Sequence, residues 1–410
     1  MRQLALLGGD PVRSTPFPAW PPVTERAGQA LAEALREGIW GDVGGPRKTE
    51  FERRFAAYQD SAYGVAVSNG TVSLQIILAA LGIGSGDEVI VPAYTFLATA
   101  TSVLAVNALP VFVDIDPGTA CIDPAAVEAA ITPRTRAIMP VHLAGHPADL
   151  DALTDIAVRH GIPLVEDAAQ AHGASWRDRK VGAFGAFGSF SFQASKNMSA
   201  GEGGFITTDD ESRADLAWSL HNCGRSRTGQ WYEHALLGGN HRMTEFQAAL
   251  LLVQLEDLDG QVARRERAAA ALDRVMAGIE GLTPTGRDPR VTRHAYHLYQ
   301  FRYDPAAFGG LPRRRFLEAL AAEGIPCSGG YGTPLDRQEV FAKTAFDTRA
   351  TGYDPAYPPT RYGEVDLPAT ALLCEQAVWL PQNVLLGDEA DIADVAAALE
   401  KLRDGAAALL

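Results

Sequence analysis

The chain has 410 residues, 47% of them hydrophobic, enough to bury a large core in two or three domains. Its 36 basic and 50 acidic residues leave a net charge of -14, the wrong sign for a protein that neutralises nucleic-acid phosphates, so no nucleic-acid partner is expected. Cys121, Cys223, Cys327 and Cys374 lie far apart without CxxC or Cys/His spacing, which indicates neither a zinc site nor a disulfide framework; no metal is expected.

In chain order, the apolar patch Leu4 to Leu7 is broken at once by Gly8-Gly9-Asp10-Pro11, too short for a signal core or a membrane span, and a cytoplasmic protein is expected. Five prolines between residues 10 and 22 forbid helix and predict an extended arm over 1–22. Helical periodicity follows over Glu25 to Glu37 and Thr49 to Tyr58, separated by the Gly-rich turn Gly41 to Gly45. From residue 64 short apolar strands alternate with helices: Gly64 to Val67, Glu88 to Val91, Pro110 to Ile115, Arg136 to Val141 and Pro163 to Val165 are strands. This alternation predicts an α/β fold with a mainly parallel sheet covered on both faces and ligands gathered at the C-terminal strand edge. A long helix from Glu245 to Ala277 connects to a smaller α/β domain, and the expected division is 23–262 and 263–410.

The run Ser189 to Gly204 is the most informative stretch. An alternating strand delivers Lys196 into a loop, and Gly201-Glu202-Gly203-Gly204 turns the chain back into the strand Phe205 to Thr207. A lysine so placed can be desolvated and form a Schiff base, although a solvated lysine before a hairpin has the same pattern. Asp167 ends an apolar strand where sites form, yet many such aspartates cap the next helix. Ser68-Asn69-Gly70-Thr71 stands between a strand and a helix, suited either to a phosphate at the positive end of the helix dipole or to capping. His142 and His172 read as hydrogen-bonded structural residues, and Arg313 to Arg315 as the solvated start of a helix.

The order and spacing of these pieces resemble the DegT/DnrJ/EryC1/StrS family of sugar and cyclitol aminotransferases. The resemblance extends through Gly84 to Pro92, Val141-His142-Leu143-Ala144-Gly145-His146, Glu166-Asp167-Ala168-Ala169-Gln170, the lysine loop and Met243 to Ala249. It implies the aspartate-aminotransferase fold (PLP fold type I) with a seven-stranded sheet in the large domain, and pyridoxal 5'-phosphate (PLP) as cofactor. It implies that Lys196 carries the cofactor and shuttles the proton, that Asp167 pairs with the pyridine nitrogen, and that Gln170 neighbours the ring hydroxyl. Phe96 matches the stacking aromatic, with a core aromatic as the alternative; Gly70, Thr71, Val72 and Ser191 match the phosphate cup. Asn240 matches a residue contributed across a homodimer interface, so that active sites would be shared. Trp40, His297, Tyr299 and Tyr331 fall where relatives shape the substrate pocket.

Ser191-Phe192-Gln193 is similar to both the cyclitol and the 3-amino-5-hydroxybenzoate branches, stretches such as Val106 to Asp114 to glutamine-dependent scyllo-inosose aminotransferases, and Asn222-Cys223-Gly224-Arg225 to 3-amino-5-hydroxybenzoate synthases. The expected reaction moves an amino group from L-glutamine or L-glutamate to a keto-cyclitol or keto-sugar. A 3-amino-5-hydroxybenzoate synthase-like enzyme and a nucleotide-sugar aminotransferase are the alternatives. A PLP-dependent dehydratase is disfavoured by Lys196, and a regulatory PLP-fold module by the lack of a helix-turn-helix segment.

Overall fold

The computed structural model describes residues 3–41, 44–343 and 362–410, so Asp42 and Val43 of the predicted turn lie outside the described residues. Seven strands build the main sheet: β1 (Tyr63–Val67), β2 (Glu88–Pro92), β3 (Leu109–Val113), β4 (Thr135–Ile138), β5 (Val165–Asp167), and, after the small hairpin of β6 (Ser175–Trp176) and β7 (Arg179–Lys180), β8 (Phe187–Ser191) and β9 (Gly204–Thr208). They form a four-stranded part, β1-β9-β8-β5, and a three-stranded part, β3-β2-β4. Parallel bridges Ile138 to Leu164 and Val141 to Asp167 join the two. Only β9 runs antiparallel to its neighbours, so the sheet is mainly parallel as the alternation predicted. Burial on both faces explains the unbroken apolar run Val89-Ile90-Val91, in which all three residues are fully buried.

Side chains at the helix starts set the boundaries. Asn69 caps α3 (Gly70–Ala80) by accepting from the Val72 N–H, and Asp149 caps α6 (Leu150–His160) through the Ala152 N–H. Thr244 and Gln247 close a reciprocal capping box on the long helix Glu245–Met276. That helix serves two cores: residues up to Val262 pack with the main sheet, and Ala268 to Met276 pack with the C-terminal part. We place the boundary between the units inside it.

The C-terminal part carries an antiparallel sheet of β10 (Leu282–Pro284), β12 (Leu298–Tyr303) and β13 (Ala377–Pro381), while the three-residue strand β11 (Val291–Arg293) pairs with β6. The arm is more than a lead-in, because Leu4 and Phe17 enter this second core and Arg13 pairs with Asp391 at 2.6 Å and Asp394 at 2.9 Å. Arg313 departs from the reading of a solvated helix start. Its guanidinium donates to the carbonyls of Gly329, Ala377 and Cys374, whereas Arg314 and Arg315 pair with Glu318 on their own helix.

Strand alternation at β5 sends its two adjacent carboxylates to opposite sides. Glu166 accepts from the N–H groups of Gly182, Phe184 and Gly185 at 2.7 to 2.9 Å and contacts His142 at 3.0 Å, so it fastens the loop between β7 and β8 to the sheet. Replacing Glu166 with Ala strands three N–H donors and should cost at least about 3 kcal/mol of stability. Denaturant unfolding that shifts by under ~1 kcal/mol would contradict this anchoring role.

Candidate active site

One large cavity, about 1110 Å³ in volume, opens at the C-terminal edge of the sheet. It brings together Gly70, Thr71, Val72, Phe96, Asp167, Gln170, Ser191 and Lys196, which enter from four separate stretches of the sequence. Asn240 does not line it: that residue is exposed, on a strand-like bridge to Asn222.

Asp167 ends β5 with 5% of its surface exposed. Its carboxylate accepts from the Thr99 hydroxyl at 2.9 Å and the Ala169 N–H at 3.2 Å. Burial pushes its carboxyl above the ordinary range, while Thr99, Ala169 and the Lys196 amine pull the other way. Burial pushes the Lys196 ammonium down to about 8, against the attraction of Asp167. Each charge thus eases the desolvation of the other.

The loop that carries Lys196 is tied on all sides. The Lys196 N–H donates to Gln193 at 2.9 Å, its carbonyl accepts from the Trp20 indole at 3.0 Å, and Asn197 donates to the Ala295 carbonyl at 2.7 Å. The side chain lines the cavity, so the solvated-lysine reading does not describe it.

The start of α3 leaves the Gly70 and Thr71 N–H groups without intrahelical acceptors. A Cβ on Gly70 would come within 2.7 Å of the Ser191 Cβ, so the helix start and the β8 end can approach this closely only with glycine there. The Val72 N–H is spent on the Asn69 cap, which leaves Val72 to line the wall with its side chain. Phe96 is 59% exposed at the cavity, not a core aromatic. The Gln170 carbonyl oxygen accepts from the Ala144 N–H at 2.6 Å, so its amide NH₂ is left to face Tyr331 and the cavity.

Of the residues without an assigned role, His297 and Tyr331 line the cavity, while Tyr299 donates to Asp273 at 2.7 Å inside the second core. Trp40 packs on Phe246 at 5.8 Å, away from the cavity. His142 is hydrogen-bonded, to Glu166 and the Ala148 N–H, as expected. His172 is enclosed by Phe190 and Phe192, and burial pushes it down to about 3 against a weak pull from the Ser191 backbone, hence neutral. Sequence reasoning missed Thr99, Trp20, Gln382 and Asn383. The Thr95/Thr99 spacing and the loop following Pro381 at a strand end were usable signals; a lone tryptophan in a proline-rich arm was not.

The donor set suits PLP. A buried carboxylate can face a ring nitrogen, an amine of lowered basicity can bond an aldehyde carbon, and a helix N-terminus beside a serine can take a phosphate.

Comparison with known proteins agrees with this chemistry. The pattern of the DegT/DnrJ/EryC1/StrS aminotransferase family matches residues 22–400. A putative L-glutamine:3-amino-2,3-dideoxy-scyllo-inosose aminotransferase of Streptoalloteichus tenebrarius is 44% identical over 99% of each chain. An L-glutamine:scyllo-inosose aminotransferase of Streptomyces griseus is 42% identical over 98% of this chain and 97% of its own. The crystal structure of 3-amino-5-hydroxybenzoic acid synthase superimposes with a TM-score of 0.85 and 36% identity, covering 95% of this chain and 99% of the other.

In the cofactor-free protein Lys196 should be protonated below and neutral above about pH 8. Its reaction with a small aldehyde, located by mass after reduction, should therefore rise with a midpoint near 8. A midpoint at the ordinary lysine value of 10.5 would contradict the desolvated environment.

Proposed function

The chain belongs to the DegT/DnrJ/EryC1/StrS family of PLP-dependent aminotransferases, and from this we propose that it moves an amino group from L-glutamine to a keto-cyclitol. The observation that carries the reading is the pairing of Lys196 with a buried Asp167 in one cavity, on a chain similar end to end to glutamine-dependent inosose aminotransferases. When bound, PLP supplies an electron-accepting ring and a carbon that takes the amino group from the donor and yields it to the ketone.

The chain's own residues prepare that chemistry. Lys196 would hold the cofactor and move the proton at the donor Cα. Asp167, kept in place by Thr99 and the Ala169 N–H, would hold the proton on the ring nitrogen. The Gln170 amide would meet the ring hydroxyl, Phe96 would cover the ring face, and Gly70, Thr71 and Ser191 would hold the phosphate, with the Val72 side chain as the wall beside it. The exposed position of Asn240 supports a homodimer in which Asn240 of the partner subunit completes the phosphate site. Among the described residues no helix is long and apolar enough to cross a membrane. We place the enzyme in the cytoplasm and its product in antibiotic-type biosynthesis, following the inosose-specific relatives.

A panel of L-glutamine and L-glutamate against keto-cyclitols, nucleotide keto-sugars and aminodehydroquinate-type acids, read by product mass, tests the reaction. Amination of a keto-cyclitol from glutamine is expected; turnover confined to the acidic ketones would favour the hydroxybenzoate-type reading instead. Asp167→Ala should slow transfer roughly 100-fold or more while the lysine stays reactive, and a near-normal rate would reduce Asp167 to a structural carboxylate.

Asn240→Ala should weaken cofactor retention by about 1 to 3 kcal/mol. Mixing Lys196→Ala chains with Asn240→Ala chains should restore retention in about half of the heterodimer's sites, because one site regains both residues. No recovery after confirmed subunit exchange would exclude shared sites.

A further inference from the structure

Arg265, on the long helix Glu245–Met276, is fully buried and no carboxylate among the described residues pairs with it. Its Nε donates to the Gln382 Oε1 at 3.0 Å, its Nη2 donates to the same oxygen, and its Nη1 has no partner. The guanidinium carbon stands 5.4 Å from the Trp20 ring. Trp20 and Gln382 both line the cavity, so the cation lies directly behind the cavity wall.

This contact settles which way the Gln382 amide points. A guanidinium offers only donors, so the oxygen must face it and the NH₂ must face away. That NH₂ makes no hydrogen bond to any described residue, although Gln382 is only 3% exposed, and it is not among the polar atoms sealed from the cavity. The guanidinium polarises the amide and strengthens its free donors. A buried cation without a counter-ion is costly, and a fold that keeps one beside a ligand cavity gains when an anion arrives.

Under the amino-transfer reading three groups enter the cavity. The cofactor phosphate has its own donors at the start of α3 and at Ser191, and a keto-cyclitol is uncharged. The remaining anion is the α-carboxylate of the amino-acid donor. We propose that Gln382, backed by Arg265 as a positioning residue, is the recognition point for that carboxylate; the proposal rests on the amino-transfer reading above.

The test compares L-glutamine with L-glutaminol, in which CH₂OH replaces the carboxylate, in the PLP-loaded wild type, Gln382→Leu, Arg265→Met and Arg265→Lys. The wild type should favour glutamine by roughly 100-fold in kcat/KM. Gln382→Leu and Arg265→Met should shrink that ratio at least about tenfold, through KM for glutamine, while KM for the keto acceptor stays unchanged. Arg265→Lys should recover part of the loss. Calorimetric titration with α-methyl-L-glutamine, which lacks the transferable Cα proton, should show the same loss of affinity without turnover.

An unchanged ratio and affinity in Gln382→Leu would overturn the proposal even if Arg265→Met fails to fold. An equal rise in the acceptor KM would overturn it too. A wild type that transfers from neither donor would contradict the amino-transfer reading, and the calorimetric comparison would still decide on the recognition point.

Discussion

Desolvation of opposite charges at one strand end governs this molecule. Burial pushes the Asp167 carboxyl above its ordinary range and the Lys196 ammonium below its own. Placed in one cavity their charges each offset part of the other's desolvation, and the amine is partly neutral near pH 8. Every other feature of the site holds this pair in position. Thr99 fixes the carboxylate, Trp20 and Asn197 fix the lysine loop, and Glu166, on the opposite side of the same strand, fixes the loop beneath it.

The sheet supplies the rigidity that such a pair needs. The end of β5 is hydrogen-bonded to β8 on one side and bridged to the β4 extension on the other, so Asp167 cannot withdraw toward solvent. The antiparallel turn from β8 to β9 returns the chain beneath the start of α3, where Gly70 allows Ser191 to approach. The arm then closes the lysine side of the cavity, held by the Arg13 ion pairs and by Asn383, which donates to the Pro18 carbonyl at 2.8 Å.

Most of this was legible in the sequence because it is local. Strand alternation and helix caps are set by neighbours within a few residues, which is why the helix from Glu25 to Glu37 falls where its periodicity puts it. The lysine hairpin and the aspartate at a strand end were equally readable. Contacts across long stretches of chain were not. Arg265 reads as one arginine among several on a helix, and only the fold sets it against Gln382, 117 residues away. Arg313 misled for the same reason: its three carbonyl partners lie on segments that its own helix periodicity cannot reveal. The pattern around His172 likewise gave no sign that aromatic rings would enclose it.

The account stands on Lys196 as the residue that bonds the cofactor. The most direct measurement is borohydride reduction of the PLP-loaded protein followed by peptide mass mapping. The account predicts a single cofactor-bearing peptide containing Lys196, with no label after Lys196→Ala. Label on Lys48, Lys180 or any other lysine, or label retained by the Lys196→Ala protein, would contradict it.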